Sequence, residues 1–238
     1  EILRCLVGSE MCIRDRDADT SDDEDEIKVA VIGKPNAGKS SLINKILGED
    51  RVIVSNIAGT TRDAIDSHYE KNGDKYLFID TAGMRKRGKI DENVERYSVV
   101  RSLAAVDRSD VCVIMIDANE GITEQDTKVA GYAHEQGKAC IFAVNKWDIV
   151  SKDTKTMKNF TMRVREEFAF MSYAEIIFIS AKTGQRVDKL LELIKKVNEQ
   201  HKRRITTGML NDVLNEAMAK QQPPSDKGRR LKVYYGTQ

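Results

Sequence analysis

Eight consecutive residues, Gly33-Lys34-Pro35-Asn36-Ala37-Gly38-Lys39-Ser40, set two glycines, a lysine and a hydroxyl at the spacing GxxxxGK[ST]. Glycines let a backbone wrap closely around a phosphate, and the free N–H groups of a helix that starts there point at the anion. Lys39 would place its charge on the β- and γ-phosphates, and the Ser40 hydroxyl could ligate Mg²⁺. Three further short runs suit the same ligand. Asp80-Thr81-Ala82-Gly83 offers a carboxylate that can hold the metal through water and a Gly83 N–H that can sense the γ-phosphate. Asn145-Lys146-Trp147-Asp148 offers a carboxylate that can accept from the N1–H and 2-amino group of guanine, two donors that adenine lacks. Ser180-Ala181-Lys182 offers a backbone N–H that could reach guanine O6. The expected nucleotide contacts are Gly33 to Ser41, Asp80 to Gly83, Asn145, Lys146, Asp148, and Ser180 to Lys182.

These runs need elements to hold them, and the pattern between them supplies such elements. Short apolar strands are expected at Ile27–Ile32, Val111–Ile116, Ala139–Val144 and Ile176–Ile179, and a hairpin at Ala64–Glu70 and Tyr76–Asp80 around Gly73. Helical spacing covers Lys39–Leu47, Val94–Val106, Thr123–Gln136, Met157–Phe168 and Val187–Glu199. Near-continuous apolar strands alternating with amphipathic helices signal the α/β class: a doubly wound, mostly parallel sheet of about six strands. Each motif then follows a strand at the carboxyl edge, where open α/β sheets bind ligands. The alternation breaks at His201–Thr207. A further helix at Thr207–Lys220 and a strand at Leu231–Tyr235 read as the start of a second, truncated α/β domain.

The four motifs in this order resemble the TRAFAC class of translation-factor-like GTPases. That resemblance implies binding and hydrolysis of GTP. It supplies the missing member of the set in Gly59-Thr60-Thr61-Arg62-Asp63, where Thr61, with Thr60 as the alternative, would sense the γ-phosphate and Mg²⁺. Met84 stands where Ras-like enzymes carry a water-orienting glutamine and cannot orient water through hydrogen bonds. In related enzymes an asparagine at the position of Asn36 helps bind K⁺ against the phosphates, adding fixed positive charge at the transition state. The resemblance thus implies catalytic roles for Asn36, Lys39, Thr61 and Gly83, with Mg²⁺ on Ser40, Thr61 and Asp80 and K⁺ on Asn36. The alternative for Asn36 is that it only shapes the turn. Arg85-Lys86-Arg87-Gly88-Lys89 reads equally as a contact for RNA or a partner domain and as a solvated loop.

Within that class the chain resembles the second G domain of the Der (EngA) family of bacterial ribosome-assembly GTPases. That family has two tandem G domains joined by an acidic linker, then a KH-like domain. Seven of the ten residues Asp17 to Glu26 are acidic, matching the linker, and 27–204 match the G domain. Gln221-Gln222-Pro223-Pro224 and Lys227-Gly228-Arg229-Arg230-Leu231-Lys232-Val233-Tyr234-Tyr235 resemble the opening of the KH-like domain, giving a partial domain at 205–238. The resemblance implies the large (50S) ribosomal subunit and its rRNA as partners, a monomer, and a first G domain upstream that this chain lacks. Era-like and MnmE-like proteins are the rival families. The acidic run argues against the first, and the absence of flanking helical segments argues against the second.

Composition is compatible with this reading and narrows little. The net charge of +1 gives no strong global field, although 203–238 hold seven basic against three acidic residues. No apolar run approaches the roughly 18 to 20 residues of a spanning helix, so no membrane partner is expected. Cys112 and Cys140 fall inside apolar strands and read as core, which suits a reducing cytoplasm. His68, His134 and His201 lie near no motif and read as surface or core. Leu6 to Arg16, LVGSEMCIRDR, resembles the in-frame translation of a sequencing adapter, so 1–16 are expected to be foreign.

Overall fold

The computed structural model describes residues 26–49, 66–81, 94–150, 155–221, 225–226, 229–230, 234 and 236. The chain divides into two compact units, Glu1–Asn198 and Glu199–Gln238.

The first unit is built on six strands: β1 (Glu26–Ile32), β2 (Ser67–Lys71), β3 (Asp74–Ile79), β4 (Val111–Asp117), β5 (Ala139–Asn145) and β6 (Glu175–Phe178). Their order across the sheet is β2-β3-β1-β4-β5-β6, and all pairs are parallel except the β2–β3 hairpin. Helices α1 (Lys39–Glu49), α2 (Val94–Arg108), α3 (Glu124–Glu135), α4 (Thr156–Glu167) and α5 (Val187–Lys202) connect and cover them.

The alternation of side chains along a strand sorts the core into two layers. Val29, Val31, Val111, Val113 and Met115 face one side, where they meet Leu42, Ile43 and Ile46 of α1 and Leu190, Leu191 and Ile194 of α5. Ala30, Ile32, Cys112, Ile114 and Ile116 face the other, against Val106 of α2, Val129 and Ala133 of α3, and Phe160 and Val164 of α4. Every residue of β4 and β5 is buried, which is why these strands read as unbroken apolar runs. The edge strand β2 instead alternates buried and exposed residues.

Local chemistry sets the ends of elements. Thr123 and Asp126 form a capping box that starts α3, so the expected first residue of the helix is its cap. Strand β3 ends at Ile79, one residue before the expected end, because Asp80 takes φ 55° and leaves the extended region. Strand β2 starts at Ser67; Asp66 before it is not in a strand, and 64–65 lie outside the described residues. Cys112 and Cys140 are register partners in the buried centre of the sheet. His68 pairs with Glu26 at 2.7 Å, and His134 packs against Phe170 and Tyr173.

In the second unit α6 (Thr207–Lys220) has Thr206 as its cap, accepting from the Met209 amide. The strand expected at Leu231–Tyr235 is not seen at Tyr234, and the rest of it except Tyr234 lies outside the described residues. Two short strands, β7 (Ser225–Asp226) and β8 (Arg229–Arg230), pair antiparallel instead. Among the described residues, no helix is long and apolar enough to cross a membrane.

Candidate functional site

The loop from β1 into α1 requires glycine at two places. Gly33 has φ 143°, and a Cβ there would sit 2.5 Å from the Met115 carbonyl oxygen of β4. Gly38 has φ 98°, and its Cβ would lie 2.1 Å from Asn145 Nδ2. Between them Asn36 is left-handed at φ 64°, an unfavourable state for a side-chain-bearing residue that the loop holds in place. Asp80 and Lys146 are also left-handed, at φ 55° and 63°. Among the described residues, three of the five non-glycine residues with positive φ therefore stand in the motifs, one after each of β1, β3 and β5.

The Lys39 ammonium folds back into this loop and donates to the carbonyls of Gly33 and Lys34, each at 2.6 Å. Burial lowers its pKa to about 8, with Asp126 pulling in the opposite direction. Phosphate oxygens placed in the loop would restore a full countercharge. Asn36, Gly38, Lys39, Ser40 and Ser41 line a cleft of about 610 Å³, facing Asn145, Lys146, Asp148, Ile149, Ala181 and Lys182 across it. That volume lies in the range of small-molecule sites.

Asn145 is 2% exposed and ties the two sides together. Its Nδ2 donates to the Ala37 carbonyl at 2.7 Å, and its Oδ1 accepts from the Ala181 amide at 2.9 Å. The Ala181 N–H, one of the donors considered for guanine O6, is thus engaged within the protein. Ser180 is fully buried, and its hydroxyl accepts from the Thr183 amide at 3.2 Å, so it shapes the turn. Asp148, by contrast, keeps a buried Oδ1 with no hydrogen-bond partner while lining the cleft. A buried acceptor left unpaired is costly unless a ligand supplies the donors.

Asp80 accepts no hydrogen bond at its buried Oδ1, which lies 3.8 Å from Arg101 Nη2. Its amide donates to Asp66 at 2.9 Å. Burial raises its pKa first; Asp66 adds to the rise, and Arg101 and Arg108 oppose it. Thr81 is buried, with its hydroxyl 2.6 Å from that of Ser67. Thr60, Thr61, Ala82, Gly83, Met84 and Arg85 to Lys89 lie outside the described residues.

Motif reading missed the loop after β4. Asp117 is fully buried and pairs with Lys146 at 2.5 Å, while Glu120 pairs with Lys34 at 2.5 Å. Burial would raise the Asp117 carboxyl, but hydrogen bonds from Lys146 and the Asn119 amide outweigh it and hold the group below its usual value. An acidic residue at the end of an apolar strand was the available signal, and it belongs to none of the four nucleotide motifs.

A phosphate loop at the sheet's switch point, facing an unpaired carboxylate across one cleft, defines the P-loop G domains. The chain belongs to the 50S ribosome-binding GTPase family, whose model matches residues 28–146. Residues 204–238 match the C-terminal KH-domain-like model of EngA bacterial GTPase enzymes. The chain is 65% identical to GTPase Der of Ruminiclostridium cellulolyticum over 222 residues, covering 93% of this chain and 50% of that one. It is 64% identical to GTPase Der of Acetivibrio thermocellus over 216 residues, or 91% and 49% of the two chains. The chain spans about half the length of the curated relatives it matches. Among solved structures it resembles Aquifex aeolicus Era bound to GDP·AlF4⁻, with a TM-score of 0.56 and 28% identity over 73% of this chain and 57% of that one. The elongation factor SelB of Methanococcus maripaludis shares the fold at a TM-score of 0.55 and 21% identity, covering 76% and 35%.

Proposed function

We propose that the chain binds GTP and GDP in this cleft, hydrolyses GTP, and acts as a nucleotide-controlled switch in assembly of the large ribosomal subunit. The observation that carries the nucleotide reading is the unpaired Asp148 Oδ1 in the cleft that also holds Lys39. Guanine brings two donors to that carboxylate, and the phosphates bring acceptors to Lys39. The ribosomal part rests on the family, on the relatives' name, and on a second Era structure solved with MgGDPNP and nucleotides of 16S rRNA.

In this reading the linker from Asp17 stops short of Glu26, which is already paired in β1, the G domain follows through 204, and 205–238 are part of a KH-like domain. A first G domain lies upstream in the intact protein, which works in the cytoplasm as a monomer on rRNA. Lys39 draws charge from the β- and γ-phosphates, while the Ala37 carbonyl and Gly38 are held in register by Asn145. The donor set suits Mg²⁺: Ser40 lines the cleft, and the Asp80 Oδ1 accepts no hydrogen bond and lies 3.8 Å from Arg101 Nη2. Among the described residues no three His, Cys, Asp or Glu side chains gather around one point, and Mg²⁺ commonly takes few protein ligands besides phosphate. The bound ion would neutralise charge on the β- and γ-phosphates. Thr61, with Thr60 as the alternative, and Gly83 would sense the γ-phosphate, and Asn36 would hold K⁺, adding positive charge at the transition state.

The test is a pair of titrations. Wild type should bind GDP far more tightly than ADP or xanthosine diphosphate, and Asp148→Asn should reverse the order of GDP and xanthosine diphosphate. Equal affinity of wild type for GDP and ADP would overturn the guanine reading. Hydrolysis in KCl should exceed that in NaCl and lose the difference in Asn36→Ala. Equal rates in the two salts would remove the K⁺ assignment.

A further inference from the structure

We propose that Glu120 is a positioning residue for nucleotide binding, which holds the phosphate loop through Lys34 and braces it against the guanine-side turn. The proposal rests on the reading of the cleft as a GDP and GTP site.

Lys34 occupies a position that the phosphate-loop spacing leaves open, so phosphate chemistry does not ask for a lysine there. It is nevertheless only 6% exposed, and its ammonium donates to Glu120 in the loop after β4. A buried ammonium needs a partner, and Glu120 supplies one from a side chain that is itself half-exposed. Through its backbone the same residue does something else: the Lys34 carbonyl accepts from the Lys39 ammonium at 2.6 Å. One residue therefore joins Glu120, by its side chain, to the lysine that faces the phosphates, by its main chain. A shift of the first contact is carried to the second.

The loop that carries Glu120 is fixed at its base. The Asn119 amide donates to the Asp117 carboxylate at 2.9 Å, and the Gly121 amide to the Asp117 carbonyl at 2.8 Å, with Gly121 left-handed at φ 80°. From this base the loop reaches the guanine side twice. Asp117 pairs with Lys146, and the Ala118 amide donates to the Asn145 carbonyl at 3.0 Å. Glu120 is thus the phosphate-side end of a short brace whose other end is the Asn145–Lys146 turn. An ion pair exposed at both ends would contribute little. Here one end is buried, and losing Glu120 strands a charge beside the phosphate loop.

The test follows release of fluorescently labelled GDP from the full chain. Wild-type binding of GDP is the control; without it the cleft reading falls, and this proposal with it. Glu120→Gln should release GDP about tenfold faster, while its preference for GDP over ADP stays at the wild-type value because Asp148 is untouched. Glu120→Asp, which keeps the charge, should release GDP more slowly than Glu120→Gln. Lys34→Met should also speed release, and adding Glu120→Gln to it should bring no further change, since the pair is already broken. Release from Glu120→Gln at the wild-type rate, with wild-type binding intact, overturns the proposal alone. Full additivity of the two substitutions overturns it too. If Lys34→Met does not fold, the comparison of Glu120→Gln with Glu120→Asp decides: equal release from the two overturns the proposal.

Discussion

The Asn145 Nδ2 donates to the Ala37 carbonyl across 108 positions of sequence, and this contact joins the phosphate loop to the turn after β5. The same amide accepts from Ala181, so one buried side chain holds three ligand-facing loops. Neither partner has an alternative in water, which makes the strut expensive to remove.

Asn145→Ala leaves the Ala37 carbonyl and the Ala181 amide without Asn145 and should cost about 2 to 4 kcal/mol in total. Asn145→Asp should be as damaging despite its similar shape, because a carboxylate oxygen would face the Ala37 carbonyl where a donor is needed. Denaturant unfolding measures the stability, and GDP titration should show weaker binding in both variants. Wild-type stability in Asn145→Ala would mean the strut is not holding these loops.

Glycines at three positions should behave differently under the same substitution. Gly38→Ala brings a methyl to 2.1 Å from Asn145 Nδ2 at φ 98°, so it should abolish GDP binding and lower stability. Gly33→Ala, at 2.5 Å from the Met115 carbonyl oxygen, should do the same because backbone cannot step aside. Gly48 sits in α1 with nothing within 4 Å of its added Cβ. Gly48→Ala should stabilise the chain by about 0.5 to 1 kcal/mol, since alanine loses less entropy in a helix. Thermal melts of the three variants against wild type check all of this.

The sheet and its helices were legible because burial leaves a period in the sequence. The central strands are apolar up to their last residues, Asp117 and Asn145, and the helices repeat at 3.6 residues, so the succession of elements followed from pattern alone. The motifs Gly33 to Ser40 and Asn145 to Asp148 were legible because close phosphate approach and guanine recognition admit few residue types. The ends of elements were less so: Asp80 looks like the last residue of a strand until its left-handed φ is known. The internal duty of Ala181 was hidden, since an amide that faces a ligand and one that faces Asn145 have the same sequence. Glu120 was hidden for a different reason. Its partner is 86 residues away, and no local pattern announces a pairing that only the sheet order creates.

The Asp117–Lys146 pair gives a pH dependence with a definite sign. The Asp117 carboxyl titrates below its usual value when folded, so the folded chain holds it ionised more strongly than the unfolded chain does. Its stabilisation is therefore complete above the ordinary carboxylate pKa of about 4 and is lost as pH falls through the lowered value. Lys146 is a third exposed, and solvent screening reduces the contribution accordingly. Asp117→Asn should cost about 2 kcal/mol at pH 7, and the difference from wild type should shrink as pH falls below about 4 and on through the lowered folded value. Denaturant unfolding at several pH values measures it. A gap that stays constant down to pH 2 would mean that the Asn119 and Lys146 hydrogen bonds hold the aspartate without regard to its charge. The ion pair would then be incidental to the brace between the two nucleotide loops.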